Sequence, residues 1–164
     1  MRKAIAILAG LAVLAAANYT IYSRERQLAD GAVVLLELAP VDPRSLMQGD
    51  YMALRFKVAD EAFGGAPQED ARNGRIVVRL DERGVGSFVR RDEGEPLAAG
   101  EVLLRYRIRD RRVKFATNAF FFQEGHAQHY ANARYGEFRV APSGELLLTH
   151  LRGENLERLG PPRS

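Results

Sequence analysis

Chemistry in this sequence would have to come from a short roster of side chains. Asp50 follows Gly49 at the start of an alternating stretch, where a carboxylate would serve as acid, base or ligand at the mouth of a sheet. The same Gly-Asp pair is ordinary turn chemistry, with the carboxylate accepting backbone N–H bonds or pairing with Arg44, and that is the reading adopted. Ser45 would need a base to act as a nucleophile, and Lys114 is the nearest formal candidate; Ser45 reads instead as a polar turn residue. His126 and His129, three apart with Glu124 nearby, have metal-ligand types. A third histidine, His150, lies far along the chain, so no metal is expected. Arg105, Arg107 and Arg109, continued by Arg111 and Arg112, make a basic row if that stretch is a strand. Such a row would meet anionic lipid headgroups, an acidic partner or a bound anion. The plainer expectation is a solvated face whose arginines pair with cross-strand acids.

The totals narrow the classes. The 164 residues suffice for one domain plus an anchor, and 46% hydrophobic content supports a core. The absence of cysteine excludes disulfides, thiol catalysis and cysteine-ligated metals. A net charge of +3, with 24 basic residues set among 21 acidic ones, does not argue for nucleic acid.

The elements that must position these residues follow from periodicity. After Met1-Arg2-Lys3, residues 4–17 are apolar and the run continues through Tyr19, Ile21 and Tyr22 before Arg24. Counted to Tyr22 it approaches the roughly 20 residues of a bilayer span with tyrosines at the far interface. Counted to Ala17 it would be a cleavable signal peptide. The anchor is the reading adopted, with Arg2 and Lys3 holding the N-terminus inside and the remainder outside the cytoplasm. Residues 27–31 read as a connector and 33–38 as a first strand.

Asp42 before Pro43 is a helix-start signal, so residues 44–48 should form one short turn ended by Gly49. From Tyr51 a strand is expected to Val58, with Met52, Leu54, Phe56 and Val58 on one face. Residues 60–74 read as a loop, 75–80 and 85–90 as a hairpin, and 101–109 as the clearest strand. An aromatic segment over 115–122 leads toward a short helix at 126–133. Residues 136–140 and 145–151 form a last hairpin, and the tail after Gly153 should pack poorly. The expectation is a mainly β chain: an N-terminal transmembrane helix (residues 1–26), then one antiparallel barrel or sandwich with one short helix (27–153), then a tail (154–164).

The run Gly49-Asp50-Tyr51-Met52-Ala53-Leu54-Arg55-Phe56 resembles the signature of the GDYXXLXY family, bacterial membrane-anchored proteins. Phe56 stands where the signature has its second tyrosine. A second landmark of that family, an aromatic stretch followed by Pro-Glu-Gly, is matched here by Glu124 and Gly125, with Gln123 in place of the proline. The resemblance implies anchoring in the bacterial cytoplasmic membrane and a multi-pass membrane protein as partner, hence an accessory or assembly role rather than an enzyme. It also suggests a polar site of Asp50, Tyr51 and Glu124 with Arg44 as counter-charge, around the family positions Asp42, Gly49, Leu54, Phe56 and Gly125. The alternative function is a hydrolase or small-ligand site in the same place. No cofactor is implied.

Overall fold

Strand β6 (Glu101–Arg109) shows how this chain builds its sheets. Leu104 is fully buried and Tyr106 nearly so, while Arg105, Arg107 and Arg109 are exposed, as period-two alternation demands. In the computed structural model, residues 2–39, 47–48, 51–64, 72–109 and 112–161 are described. The other elements are α1 (Arg2–Asp30), β1 (Ala32–Glu37), β2 (Met47–Gln48), β3 (Tyr51–Ala53), α2 (Lys57–Phe63), β4 (Gly74–Leu80) and β5 (Gly86–Arg91). They continue with β7 (Arg112–Lys114), β8 (Ala119–Phe121), a 3₁₀ turn (Ala127–Tyr130), β9 (Tyr135–Val140) and β10 (Leu146–Arg152).

The strands form three antiparallel sheets ordered β1-β9-β10, β2-β3-β8 and β5-β4-β6-β7. Two seams join the larger pair. Leu35 N–H donates to Gly84 O at 2.9 Å, and Arg105 N–H donates to Gly144 O at 2.7 Å. The sheets therefore curl around one core as a half-barrel. Phe56, Phe115 and Phe138 are at most 1% exposed at its centre. Phe56 meets the other two edge-on, at ring separations of 6.2 and 5.3 Å.

Several expectations change. The strand expected over 51–58 ends at Ala53, although Phe56 still bridges Leu38, and α2 occupies part of the expected loop. Lys57, Ala59, Glu61 and Ala62 are good helix formers, and Val58, Ala59 and Ala62 bury one face. Gly64 ends the helix at φ +64°. The helix expected at 126–133 is only the 3₁₀ turn, so the short helix of the domain lies elsewhere in the chain. The tail folds back instead of trailing: Leu159 N–H donates to Leu151 O at 2.9 Å, and Arg158 bridges Arg152.

Helix α1 also runs through most of the expected connector, to Asp30. Its last turns are clamped to the β domain, with Gln27 Nε2 donating to Arg139 O at 3.1 Å and to Glu145 O at 2.7 Å. Among the described residues no helix is long and apolar enough to cross a membrane, so the fold gives the transmembrane expectation no support.

Phe56→Ala should cost about 3–5 kcal/mol, because three rings close on one another and cannot collapse into the gap. Denaturant unfolding of the purified full chain measures it; a loss below about 1 kcal/mol would contradict this packing.

Candidate functional site

The signature strand and the aromatic landmark are hydrogen-bonded neighbours. Strand β3 pairs with β8 so that Tyr51 faces Phe121, Met52 faces Phe120 and Ala53 faces Ala119. Leu54 N–H extends the ladder to Asn118 O at 2.7 Å. The Tyr51 and Phe121 rings lie 5.9 Å apart, and Phe121 is 73% exposed. Phe120 and Phe122 close on Tyr130, at 5.0 and 5.4 Å, which ties the 3₁₀ turn to this sheet. Between them Gly125 turns the chain at φ +79°, a conformation that a side chain would strain.

The sequence-expected site residues divide into three groups. Leu54 and Phe56 are 4% and 1% exposed and belong to the core, where neither can meet a ligand. Tyr51 is half-buried, whereas Glu124 and Gly125 are exposed on the turn after β8. Asp42, Arg44, Gly49 and Asp50 lie outside the described residues, as do Ser45 and Arg111. The pairing of β3 with β8 sets Tyr51 beside Phe121, while the polar site itself turns on Asp50, which lies outside the described residues. His126 and His129 stack edge-on at 5.5 Å, and among the described residues no three carboxylates and histidines converge as a metal site.

The most concentrated charge in the described structure was missed by sequence reasoning. Glu137 points away from the core on β9, since Gly136, Phe138 and Val140 take the inner face, yet it is only 1% exposed. Arg152 Nε donates to Glu137 Oε2 at 2.6 Å, and Arg158 NH2 donates to Oε1 at 3.0 Å. His150 Nδ1 lies 3.6 Å from the same oxygen. Burial pushes the Glu137 carboxyl up, but Arg152 and Arg158 outweigh it and hold the carboxyl below its usual range. Both oxygens are engaged by guanidinium groups and the residue is only 1% exposed, so Glu137 is closed off from a substrate's proton. Its role is to hold residues 152–158 against the sheet. The only sequence signal was a glutamate inside a strand pattern, because its cations come from positions set by tertiary pairing.

A second carboxylate behaves alike. Glu101 receives Arg90 NH1 at 2.8 Å and Arg79 NH2 at 3.0 Å. Arg90, then the Ala98 N–H, lower its pKa to about 2. Nearby, Arg90, Arg91, Glu93 and Glu95 line a shallow recess whose walls are charged, unlike the mostly apolar walls of ligand pockets.

With this geometry in hand, comparison with known proteins is informative. The model of the GDYXXLXY family, described as "GDYXXLXY protein", matches residues 13–151. The chain belongs to the GDYXXLXY family. The match begins inside α1 and ends within β10, so it takes in the clamped end of the helix and all three sheets but stops before Arg152 and Arg158. No curated protein and no solved structure matches the chain.

The two carboxylates set the acid limit. A carboxyl whose folded pKa is lowered adds stability above its unfolded value near 4.3, and that contribution disappears as pH falls through the folded value. The full chain should therefore lose stability progressively from about pH 4 toward pH 2. In Glu101→Gln the part of the loss that extends lowest should vanish. Glu137→Gln should cost about 3 kcal/mol at neutral pH by stranding two arginines. Unfolding free energy against pH checks both; identical acid profiles for native and Glu101→Gln would contradict the assignment.

Proposed function

We propose that this GDYXXLXY protein is a membrane-anchored β domain that serves a membrane partner as an accessory or assembly factor. The observation that carries this reading is helix α1. Its Ile5, Ile7, Leu8, Leu11, Val13, Leu14 and Ile21 are each more than half exposed and are distributed around the whole circumference. A helix apolar on every side does not persist in water, where each exposed side chain forgoes about 1.5–3 kcal/mol of burial. Among the described residues, the hydrogen bonds from α1 to the β domain come from Arg24 and Gln27 in its last turns. The side chains of Ala4 and Ala6 lie outside the described residues; counting them, the uncharged run extends over residues 4–23, matching the roughly 20 residues of a span.

Arg2 and Lys3 before the run orient the N-terminus toward the cytoplasm and the β domain away from it. The multi-pass partner implied by the family then meets the domain outside the cytoplasm. Phe121 supports a contact there: it is a large aromatic on the edge strand β8, beside the signature residue Tyr51.

Two measurements test the reading. The full chain should resist alkaline carbonate extraction of membranes, and its mass should correspond to an intact N-terminus. A mature chain beginning at Asn18 would overturn the anchor. For the partner, Phe121→Ser should leave unfolding free energy within about 0.5 kcal/mol of native, as exposed substitutions do. It should also abolish cross-linking of the domain to a multi-pass membrane protein. Unchanged cross-linking would remove Phe121 from the contact.

A further inference from the structure

One sheet of this protein carries two halves of opposite electrostatic design. On the Glu101 side the cations are matched: Arg79 and Arg90 share Glu101, and Arg75 meets Asp92 at 2.7 Å. Along the rest of β6 the register sets like charges directly opposite one another. Arg75 faces Arg105, Arg107 faces Lys114, and Arg109 faces Arg112. Directly opposed residues share a face about 5 Å apart, and like charges so placed destabilise a sheet. Asp92 offsets Arg75 in the first of these pairs and Lys114 has a partner of its own. Among the described residues, however, the Arg105, Arg107 and Arg112 side chains meet no carboxylate or other hydrogen-bond partner, and Arg109 donates to Ile108 O. All four are exposed.

The row also has a fixed position relative to helix α1. Its first member, Arg105, donates its backbone N–H to Gly144 O in the β9–β10 turn. The next residue in that turn, Glu145, receives Arg24 NH2 at 3.0 Å and Gln27 Nε2 at 2.7 Å from the end of α1. Two short links therefore connect the base of the helix to the start of the arginine row. Along the strand successive arginines stand about 7 Å apart, with a second row one strand away. That is an open lattice of guanidinium groups on the convex side of a sheet, without a concave pocket for a small anion.

We propose that the outer face of β6 and β7, through Arg105, Arg107, Arg109 and Arg112, rests on the phosphates of anionic lipid headgroups. The assignment builds on the reading of α1 as a lipid-embedded helix, because a helix held in the bilayer would hold this face near the surface. Bidentate guanidinium–phosphate contacts supply the anions that these four arginines do not meet among the described residues. The same face then restrains the tilt of the domain on the membrane.

The test uses the full chain reconstituted into phosphatidylcholine vesicles, with and without phosphatidylglycerol. Phenylglyoxal labels the arginines, and peptide masses report the rate at each position. On phosphatidylglycerol, Arg105, Arg107, Arg109 and Arg112 should each react roughly fivefold more slowly, and molar salt should abolish the protection. Arg134, at the opposite end of β9 from Gly144, should react equally on both vesicles. Equal rates at the four arginines would overturn the proposal, as would the same protection from inorganic phosphate on neutral vesicles. Carbonate stripping of the chain from neutral vesicles, with phosphatidylglycerol protection intact, would refute the lipid-embedded helix and leave the basic face standing. A paired variant, Arg107→Gln with Arg109→Gln, should melt no lower than native, since neither side chain meets a carboxylate among the described residues, and should weaken protection at Arg105 and Arg112. A lower melting temperature would assign the row to the packing of the sheet and overturn the proposal.

Discussion

The contact on which the rest of this structure depends is the Phe56 ring lying against Gly136. A Cβ at Gly136 would come within 3.0 Å of Phe56 Cε1 and 3.1 Å of Phe138 Cε2, so the backbone of β9 must be bare for the aromatic trio to close. Three pieces of chain converge there. Phe56 comes from the end of the signature segment, Phe115 from the stretch between β7 and β8, and Phe138 from the central strand of the β1-β9-β10 sheet. The smallest sheet makes only a few ladder bonds of its own and would not persist alone. The trio binds it to the larger sheets. The signature is in that sense a joint in the fold: its leucine and second aromatic are interior side chains.

This bears on what the sequence could disclose. The long β6 was legible by its alternation, and the hairpins of β4 with β5 and β9 with β10 by short apolar runs on either side of turns ending in Gly84 and Gly144. The burial of Met52, Leu54, Phe56 and Val58 was legible for the same reason, yet the backbone carrying them was misread. Val58 is buried from α2, not from a strand, because a two-residue periodicity and the first turn of a helix can bury the same side chains. The short helix was sought after Gly125, where polar residues surround His126 and His129. It lies instead in residues whose propensity is higher but whose apolar positions are small alanines. The pairing of Tyr51 with Phe121 was not legible as such, because the sequence pattern of each segment says nothing of which strand it joins.

Charge was the least legible property, for a physical reason. Ion pairs depend on cross-strand register, and register depends on bulges that sequence does not announce. Glu137 reaches Arg152 beside a register shift between Leu148 and His150. The arginines of β6 were expected to pair with acids across the sheet. Acids do lie across from arginines near Glu101, but beyond Leu103 the register offers Arg75, Lys114 and Arg112. The same strand therefore follows the structural expectation at one end and departs from it at the other.

That division indicates where the activity of the protein resides. Glu101, Glu137 and Asp92 are each committed to arginines within the domain, and hydrogen bonds within it, at Asp92 first from the Gly94 N–H and then from Arg75, lower their proton affinity. A general acid or base needs the opposite, a carboxyl held near the working pH and open to substrate. The described carboxylates with the most elaborate surroundings are thus the least suited to catalysis. What the domain leaves unsatisfied is of another kind: an apolar helix without a covering layer, an exposed aromatic beside the signature strand, and a row of guanidinium groups facing its own charge. Each is a cost to the isolated chain that a covering surface offsets. In the placement proposed above, lipid tails cover the first, a protein partner the second and phosphates the third. These three needs are compatible with one placement, since the clamp at Gln27 and the seam at Gly144 hold the helix base and the basic row in the same neighbourhood.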